Sequence, residues 1–338
     1  MFTNSALGFL FIGDPHVSSR RIGRRKDDYL ASVLEKLAAC AVLCVRHKLV
    51  PVILGDLFHR NDDNSLKMLN RLIRVLKTFP VVPWVLEGNH DKEQTSLTEE
   101  DALALVELAG AVRVASQEAL IAEYSFSGQA VRLWGCPYGA AIPTELAPFA
   151  GKTVMVTHHD MAFGSTYPGA LPLAEVLGCE TVVNGHMHDT KPFVKAGATW
   201  WCNPGNIEPL SIDLAAHVPC AWEWRPEFDE GVLLPHALPH GLDLFDFTGL
   251  QVEASSAADA VSSLAPQASK FALLLGEQTA LDAAKTDDAS VMLQDLTEVL
   301  AASGVSAATQ QLMQAVAAGV VDELVKRQAA PLPEAAED

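Results

Sequence analysis

Five short polar clusters, each set directly after an apolar run, constrain this 338-residue chain more than anything else in it. In order they read Gly13-Asp14-Pro15-His16, Gly55-Asp56, Gly88-Asn89-His90-Asp91, His158-His159 and Gly185-His186-Met187-His188. The runs before them, Leu7–Ile12, Val50–Leu54, Val81–Leu86, Lys152–Thr157 and Thr181–Asn184, have the length and residue types of buried strands. Amphipathic stretches between the early runs predict helices over Asp27–Lys48, Ser65–Thr78 and Glu99–Ala109. Strands alternating with helices make an α/β protein. In an open α/β sheet, ligands gather at the carboxyl ends of the strands, so five strand ends can share one rim. A single Gly-Asp or Gly-Asn-His occurs in many loops; five such clusters in succession ask for a common purpose.

The residue types define that purpose. Two divalent cations roughly 3.5–4 Å apart need a bridging carboxylate and a mixed His/Asp/Asn shell. Aspartate with neutral imidazole suits Mn, Fe, Zn or Ni better than Ca or Mg. Thiolate zinc chemistry is not in view: the six cysteines are scattered with no CxxC pair, and predict buried thiols in a reducing cytoplasm. The glycines before Asp14, Asp56, Asn89 and His186 predict sharp backbone turns at strand ends.

The order D-x-H, G-D, G-N-H-D, H, G-H-x-H resembles the calcineurin-like metallophosphoesterases over about residues 8–206. That resemblance implies an α/β fold, a four-layer α/β/β/α sandwich, here followed by a C-terminal helical appendage. It implies Asp14, His16 and His188 on one metal ion, Asn89, His158 and His186 on the second, and Asp56 bridging them. His158 is taken over His159 because the family uses the first histidine of such a pair. The expected cofactor is a pair of divalent ions, Mn2+ first, with Fe, Zn or Ni as alternatives. In the family, water activated by the metals attacks phosphorus; His90 would then protonate the leaving oxygen, with Asp91 orienting its imidazole.

The sequence after Asp56 narrows the substrate. Phosphoprotein phosphatases of this class read GDxVDRG, whereas this chain reads Gly55-Asp56-Leu57-Phe58-His59-Arg60-Asn61. That segment resembles repair nucleases of the SbcD type, in some of which a histidine at the position of His59 helps place the DNA strand. Arg20, Arg21, Arg24 and Arg25, with Lys26, lie within seven residues just beyond His16, where they could meet backbone phosphates. The expected function is a dinuclear-metal phosphodiesterase acting on nucleic acid, an SbcD-like DNA exonuclease. Alternatives are a phosphodiesterase for small nucleotide-type diesters and a noncatalytic assembly subunit.

Charge and the C-terminal third qualify this. The formal net charge is −18, distributed as +4 over residues 1–95, −7 over 96–210 and −15 over 211–338. Such acidity argues against nonspecific nucleic-acid binding by a global field, though not against a locally positive site. Pro219–Trp224 and Gly231–His236 predict a closing hairpin. The stretch there is short for the DNA-capping domain of larger nucleases, and Trp222, Trp224, Asp229 and Glu230 are poor phosphate binders. The domain plan is therefore a catalytic core over 1–212, a hairpin or reduced cap over 213–248, a helical region over 249–328 and a disordered acidic tail over 329–338. The stripes Leu293-Leu296-Leu300 and Leu312-Val316-Val320-Leu324 have the spacing of an internal core face; the resemblance to SbcD-type proteins implies instead a coiled-coil ATPase partner like SbcC, and a homo-oligomer fits equally well. No apolar run reaches the ~20 residues of a membrane helix, so the chain is expected in the cytoplasm without a membrane partner.

Overall fold

β1 (Gly8–Ile12) and β2 (Leu49–Ile53) are buried along their whole length, as strands covered on both faces must be. The computed structural model describes residues 6–248 except 63, 165–168 and 242. The chain divides into two units, Met1–Ser262 and Ser263–Asp338, and the described residues all lie in the first. The helical region expected over 249–328 and the acidic tail over 329–338 lie outside the described residues.

β1 and β2 run parallel with β3 (Trp84–Leu86) and β4 (Arg113–Ala115) in a six-stranded sheet. The crossovers are α1 (Tyr29–His47), α2 (Leu66–Leu76) and α3 (Ala102–Leu108). Asp28 and Ser65 cap the first two, their side chains accepting from the amides of Ala31 and Met68. α3 starts at Ala102 rather than Glu99, because the Asp101 carboxylate holds the Thr98 amide and hydroxyl in a turn before it. Alternate residues of each strand point to opposite faces. Leu10, Ile12, Ile53 and Val85 meet Val33, Leu37, Met68 and Leu72 of the helices. Phe9, Phe11, Val50, Val52 and Leu86 face inward instead, onto the second sheet.

That second sheet has the order β5-β6-β7-β8-β10-β9, from Ala119–Phe126, Gln129–Cys136, Lys152–Thr157, Thr181–Asn184, Thr199–Asn203 and Lys191–Ala196. β5 and β6 turn at Ser127-Gly128, both with positive φ, the backbone of a tight hairpin. Phe126, Val131, Leu133, Val154, Val156 and Val183 complete the layer between the sheets. The outer face, with Met155, Val182 and the buried Trp201, is covered by Leu146, Met161, Phe163 and Val176 from connecting segments. Those segments hold no helix among the described residues, so this outer layer of the sandwich is built of loops. Pro143, Pro148, Pro168 and Pro172, with Gly139, Gly151, Gly164, Gly169 and Gly178, break these segments into runs of six residues or fewer.

The predicted closing hairpin is β11 (Cys220–Trp224) and β12 (Leu234–Ala237), added antiparallel to the free edge of β1. All six cysteines are free, five of them buried. No helix among the described residues is long and apolar enough to cross a membrane.

Candidate metal centre

The five polar clusters leave the carboxyl ends of β1, β2 and β3 in the first sheet and of β7 and β8 in the second. Three of the residues there, His16 (φ 46°), Asp56 (φ 46°) and His186 (φ 69°), hold left-handed backbone without being glycine. Such conformations persist where the surroundings impose them, and they collect at functional sites. The glycines do a different job from the expected turns. Only Gly55 has a positive φ (117°); the others leave room. A Cβ at Gly88 would stand 2.1 Å from Asp56 Oδ1, and one at Gly13 would stand 1.9 Å from the Gly205 carbonyl.

Two nests of ligand atoms result, sharing one residue. In the first, Asp14, His16, Asp56 and His188 each offer an atom within 4.8 Å of the others. His16 Nε2 lies 3.0 Å from His188 Nε2 and 3.5 Å from Asp56 Oδ2. In the second, Asp56, His158 and His186 converge equally closely. Asn89 joins them, its Oδ1 2.9 Å from His186 Nδ1 and 3.3 Å from His158 Nε2. His158 Nε2 lies 3.3 Å from Asp56 Oδ2 while its Nδ1 faces the Leu54 carbonyl. His159 turns away, to the carbonyl of Ala140. The structure thus brings together Asp14, His16, Asp56, Asn89, His158, His186 and His188, with Asp56 between the two groups.

Unpartnered atoms show what these nests accept. Both carboxylate oxygens of Asp14, Asp56 Oδ2 and His16 Nδ1 are buried without a hydrogen-bond partner. Buried polar atoms of this kind are costly unless something else satisfies them. A divalent cation in each nest fits that need, and the donors are oxygen and imidazole throughout. Such ions would supply Lewis-acid polarisation of a phosphoryl oxygen and a water nucleophile at neutral pH.

Electrostatics fall in line. Burial pushes His16 and His186 down from the ordinary histidine value and brings His188 to about 4, which favours the neutral ring that a metal needs. Burial also raises Asp14 to about 7, with help from the charge of Asp56. Burial works against Asp56 too, but His158 holds it well below the carboxylate range. The same pairing lifts His158 to about 9 although burial alone would lower it. A ligand must lose its proton to bind metal. Metal affinity should therefore rise with pH through about 7, as Asp14 ionises, and onward toward 9, as His158 gives up its proton. Calorimetry in buffers of different ionisation enthalpy reads the protons released; an affinity flat between pH 6 and 9 would contradict these assignments.

Around the nests, the second-rank expectations divide. His90 sits 4.9 Å from the His16 ring, and its amide donates to Asp56 Oδ1 at 2.8 Å. Asp91 does not orient the His90 imidazole. Its carboxylate is wholly buried and accepts the amides of Phe58 (3.0 Å) and Gly88 (3.1 Å), pinning two loops together. His90 Nδ1 instead meets the His59 carbonyl at 2.9 Å, which as a donor contact leaves Nε2 to exchange a proton. Among the arginines, Arg20 and Arg21 are exposed; Arg24 binds the carbonyls of Asp246 and Thr248. Arg25 departs most: its guanidinium is fully buried between Asp27, Glu208 and the Pro209 carbonyl. It holds the fold and cannot meet a phosphate from there. The sequence reading missed Asp160, whose Oδ2 lies 3.2 Å from His186 Nε2 and so turns Nδ1 toward the second nest. Its place directly after His158-His159 was the available signal. Tyr138, half-exposed with its ring 5.6 Å from that of His186, carried no such signal.

A profile of calcineurin-like phosphoesterases matches residues 7–190, more than half the chain. This chain belongs to that family. It is a metal-dependent phosphoester hydrolase, and its paired nests fit the dinuclear centre of calcineurin-like phosphoesterases. No curated protein matches the chain significantly. Among solved structures, a 5'-nucleotidase precursor from Thermus thermophilus is similar at 14% identity and a TM-score of 0.42, over 78% of this chain and 59% of that one. A hypothetical protein from the same organism is similar at 11% identity and 0.38, over 68% and 99%. Vacuolar Protein Sorting 29 from Cryptosporidium parvum follows at 12% and 0.29, over 68% and 97%.

Proposed function

We propose that this calcineurin-like phosphoesterase cleaves phosphodiester bonds in nucleic acid, as an SbcD-like DNA exonuclease working with manganese in cytoplasmic DNA repair. The position of His59 carries the reading. The Gly55–Arg60 segment lies along the loop after β1, with the His59 amide donating to the Val17 carbonyl at 3.1 Å. This sets the His59 ring 5.6 Å from His16 and stacked on His90 at 5.6 Å and 18°. Its buried Nδ1 has no partner. A half-buried imidazole held beside the metal nests suits a phosphate next to the scissile one. Arg20 and Arg21, exposed on the same loop, extend a cationic path outward. His90 is the residue placed to hand a proton to the leaving oxygen. The 249–328 region would dock a coiled-coil ATPase partner or a second copy.

One observation favours a smaller substrate. With Arg25 buried and Arg24 engaged by the 246–248 segment, fewer cations remain for a long polyanion. Small nucleotide-type diesters are the second reading.

Hydrolysis of 5′-labelled single- and double-stranded DNA with Mn2+ separates the two. His59→Ala should slow DNA cleavage roughly a hundredfold, the scale of a misplaced reacting group, and leave turnover of bis-p-nitrophenyl phosphate within a few-fold of wild type. DNA left intact by a protein that turns over the small diester would sink the nuclease reading and favour nucleotide diesters.

A further inference from the structure

On the helix-covered face of the first sheet, toward its β12 edge, a second convergence of ligand atoms has no part in this chemistry. His47 closes α1, Glu223 lies in β11 and His236 in β12. His47 Nδ1 stands 3.1 Å from Glu223 Oε2, and His236 Nε2 stands 2.7 Å from the same oxygen. The two rings meet edge-on with centroids 4.7 Å apart, and all three ligand atoms fall within 4.8 Å of one another. It shares no ligand residue with the metal nests, and β12 is the edge strand, two places from β1 in the sheet.

We propose that His47, Glu223 and His236 form a separate, noncatalytic site for a zinc-class divalent ion. Tetrahedral zinc with bonds of about 2.0–2.2 Å sets its ligand atoms roughly 3.3 Å apart; the 3.1 Å contact of His47 is near that spacing, and the 2.7 Å contact of His236 would open by about half an ångström to admit the ion. The contacts are also of the kind seen in the catalytic nests, where Asp56 Oδ2 lies 3.3 Å from His158 and 3.5 Å from His16. Two imidazoles and one carboxylate are a donor set for zinc, nickel or copper rather than calcium or magnesium. The other oxygen of Glu223 is already held by Arg225 Nε, while Arg225 Nη2 reaches the His47 carbonyl at 3.3 Å. A ligating carboxylate needs such an outer partner to fix its orientation, and this one ties the helix end to β11. The carboxyl end of α1 adds its own partial negative charge, favourable to a cation. Glu223 is buried, whereas His47 keeps 27% of its side chain exposed, so an ion can enter and water can fill the fourth position. Bound there, the ion would clamp the edge strand β12 to α1.

Zinc content per chain, by equilibrium dialysis of the full-length protein, is the direct test. Wild type should hold three equivalents, two in the catalytic nests and one here. His47→Gln and His236→Gln, on different elements and both partly exposed, should each hold two and keep wild-type Mn2+-dependent turnover of bis-p-nitrophenyl phosphate. Equal zinc in all three proteins would overturn the site. So would a loss of zinc accompanied by loss of turnover, which would mean that the substitutions had disturbed the catalytic centre or the fold. Neither result bears on whether the substrate is DNA.

Discussion

Asp56→Asn should lower Mn2+-dependent turnover of bis-p-nitrophenyl phosphate roughly thousandfold, a loss of about 4 kcal/mol of transition-state stabilisation. Asp56 alone contributes to both nests, and its Oδ2 is buried with no neutral donor to satisfy it. An asparagine keeps the shape, and its oxygen can still accept the His90 amide. What disappears is the negative charge between two cations, and with it the reason for two ions to sit so close together. Metal analysis of the variant should find fewer than two tightly held equivalents in the nests. Near-wild-type turnover with both ions retained would remove Asp56 from the bridging role and require another carboxylate, with Asp14 the nearest candidate.

Glu208→Gln should destabilise the protein by about 3–5 kcal/mol, the usual consequence of removing one partner from a buried ionic group. Arg25, Lys36 and Glu208 are all essentially inaccessible. Glu208 Oε1 pairs with Arg25, while its Oε2 takes Lys36 Nζ at 2.8 Å and the Ser32 hydroxyl at 2.9 Å. Asp27 balances part of the Arg25 charge, but Lys36 has no other carboxylate within reach among the described residues. The uncompensated ammonium would have to lose its proton or draw in water. Thermal unfolding should report a fall in Tm on the order of 10 °C. A shift under 2 °C would mean that water already reaches this cluster. Pairing Glu208→Gln with Lys36→Met should recover part of the loss, because the orphaned charge leaves with it.

What could be read in advance followed from locality. Each cluster at the metal centre sits within four residues of an apolar run, so the strand and the polar group after it are visible in one glance at the chain. β7 and β8 were predicted residue for residue for that reason. Long-range pairing left no such trace. Nothing in a row of five cations marks Arg25 as the one that is buried, since its partner Glu208 lies 183 positions away. The same holds for His47, Glu223 and His236, each inconspicuous in its own segment. The glycines were visible but misread: adjacency to a ligand announces a sharp turn, yet at Gly13 and Gly88 the constraint comes from a neighbouring strand end that local sequence cannot show. The family resemblance pairs His90 with the adjacent Asp91. In three dimensions the two side chains diverge, one to the His59 carbonyl and the other to backbone amides.

Asp14, His16, Asp56 and Asn89 come from one sheet, and His158, His186 and His188 from the other. Each ion would therefore be gripped from both sides of the seam where Phe9, Val52 and Leu86 press against Leu133 and Val154. The spacing of the two ions would then act as a vernier on that seam. A substitution deep in the sandwich that lets one sheet slide by a few tenths of an ångström would be felt first as altered chemistry, before any change in melting could be measured.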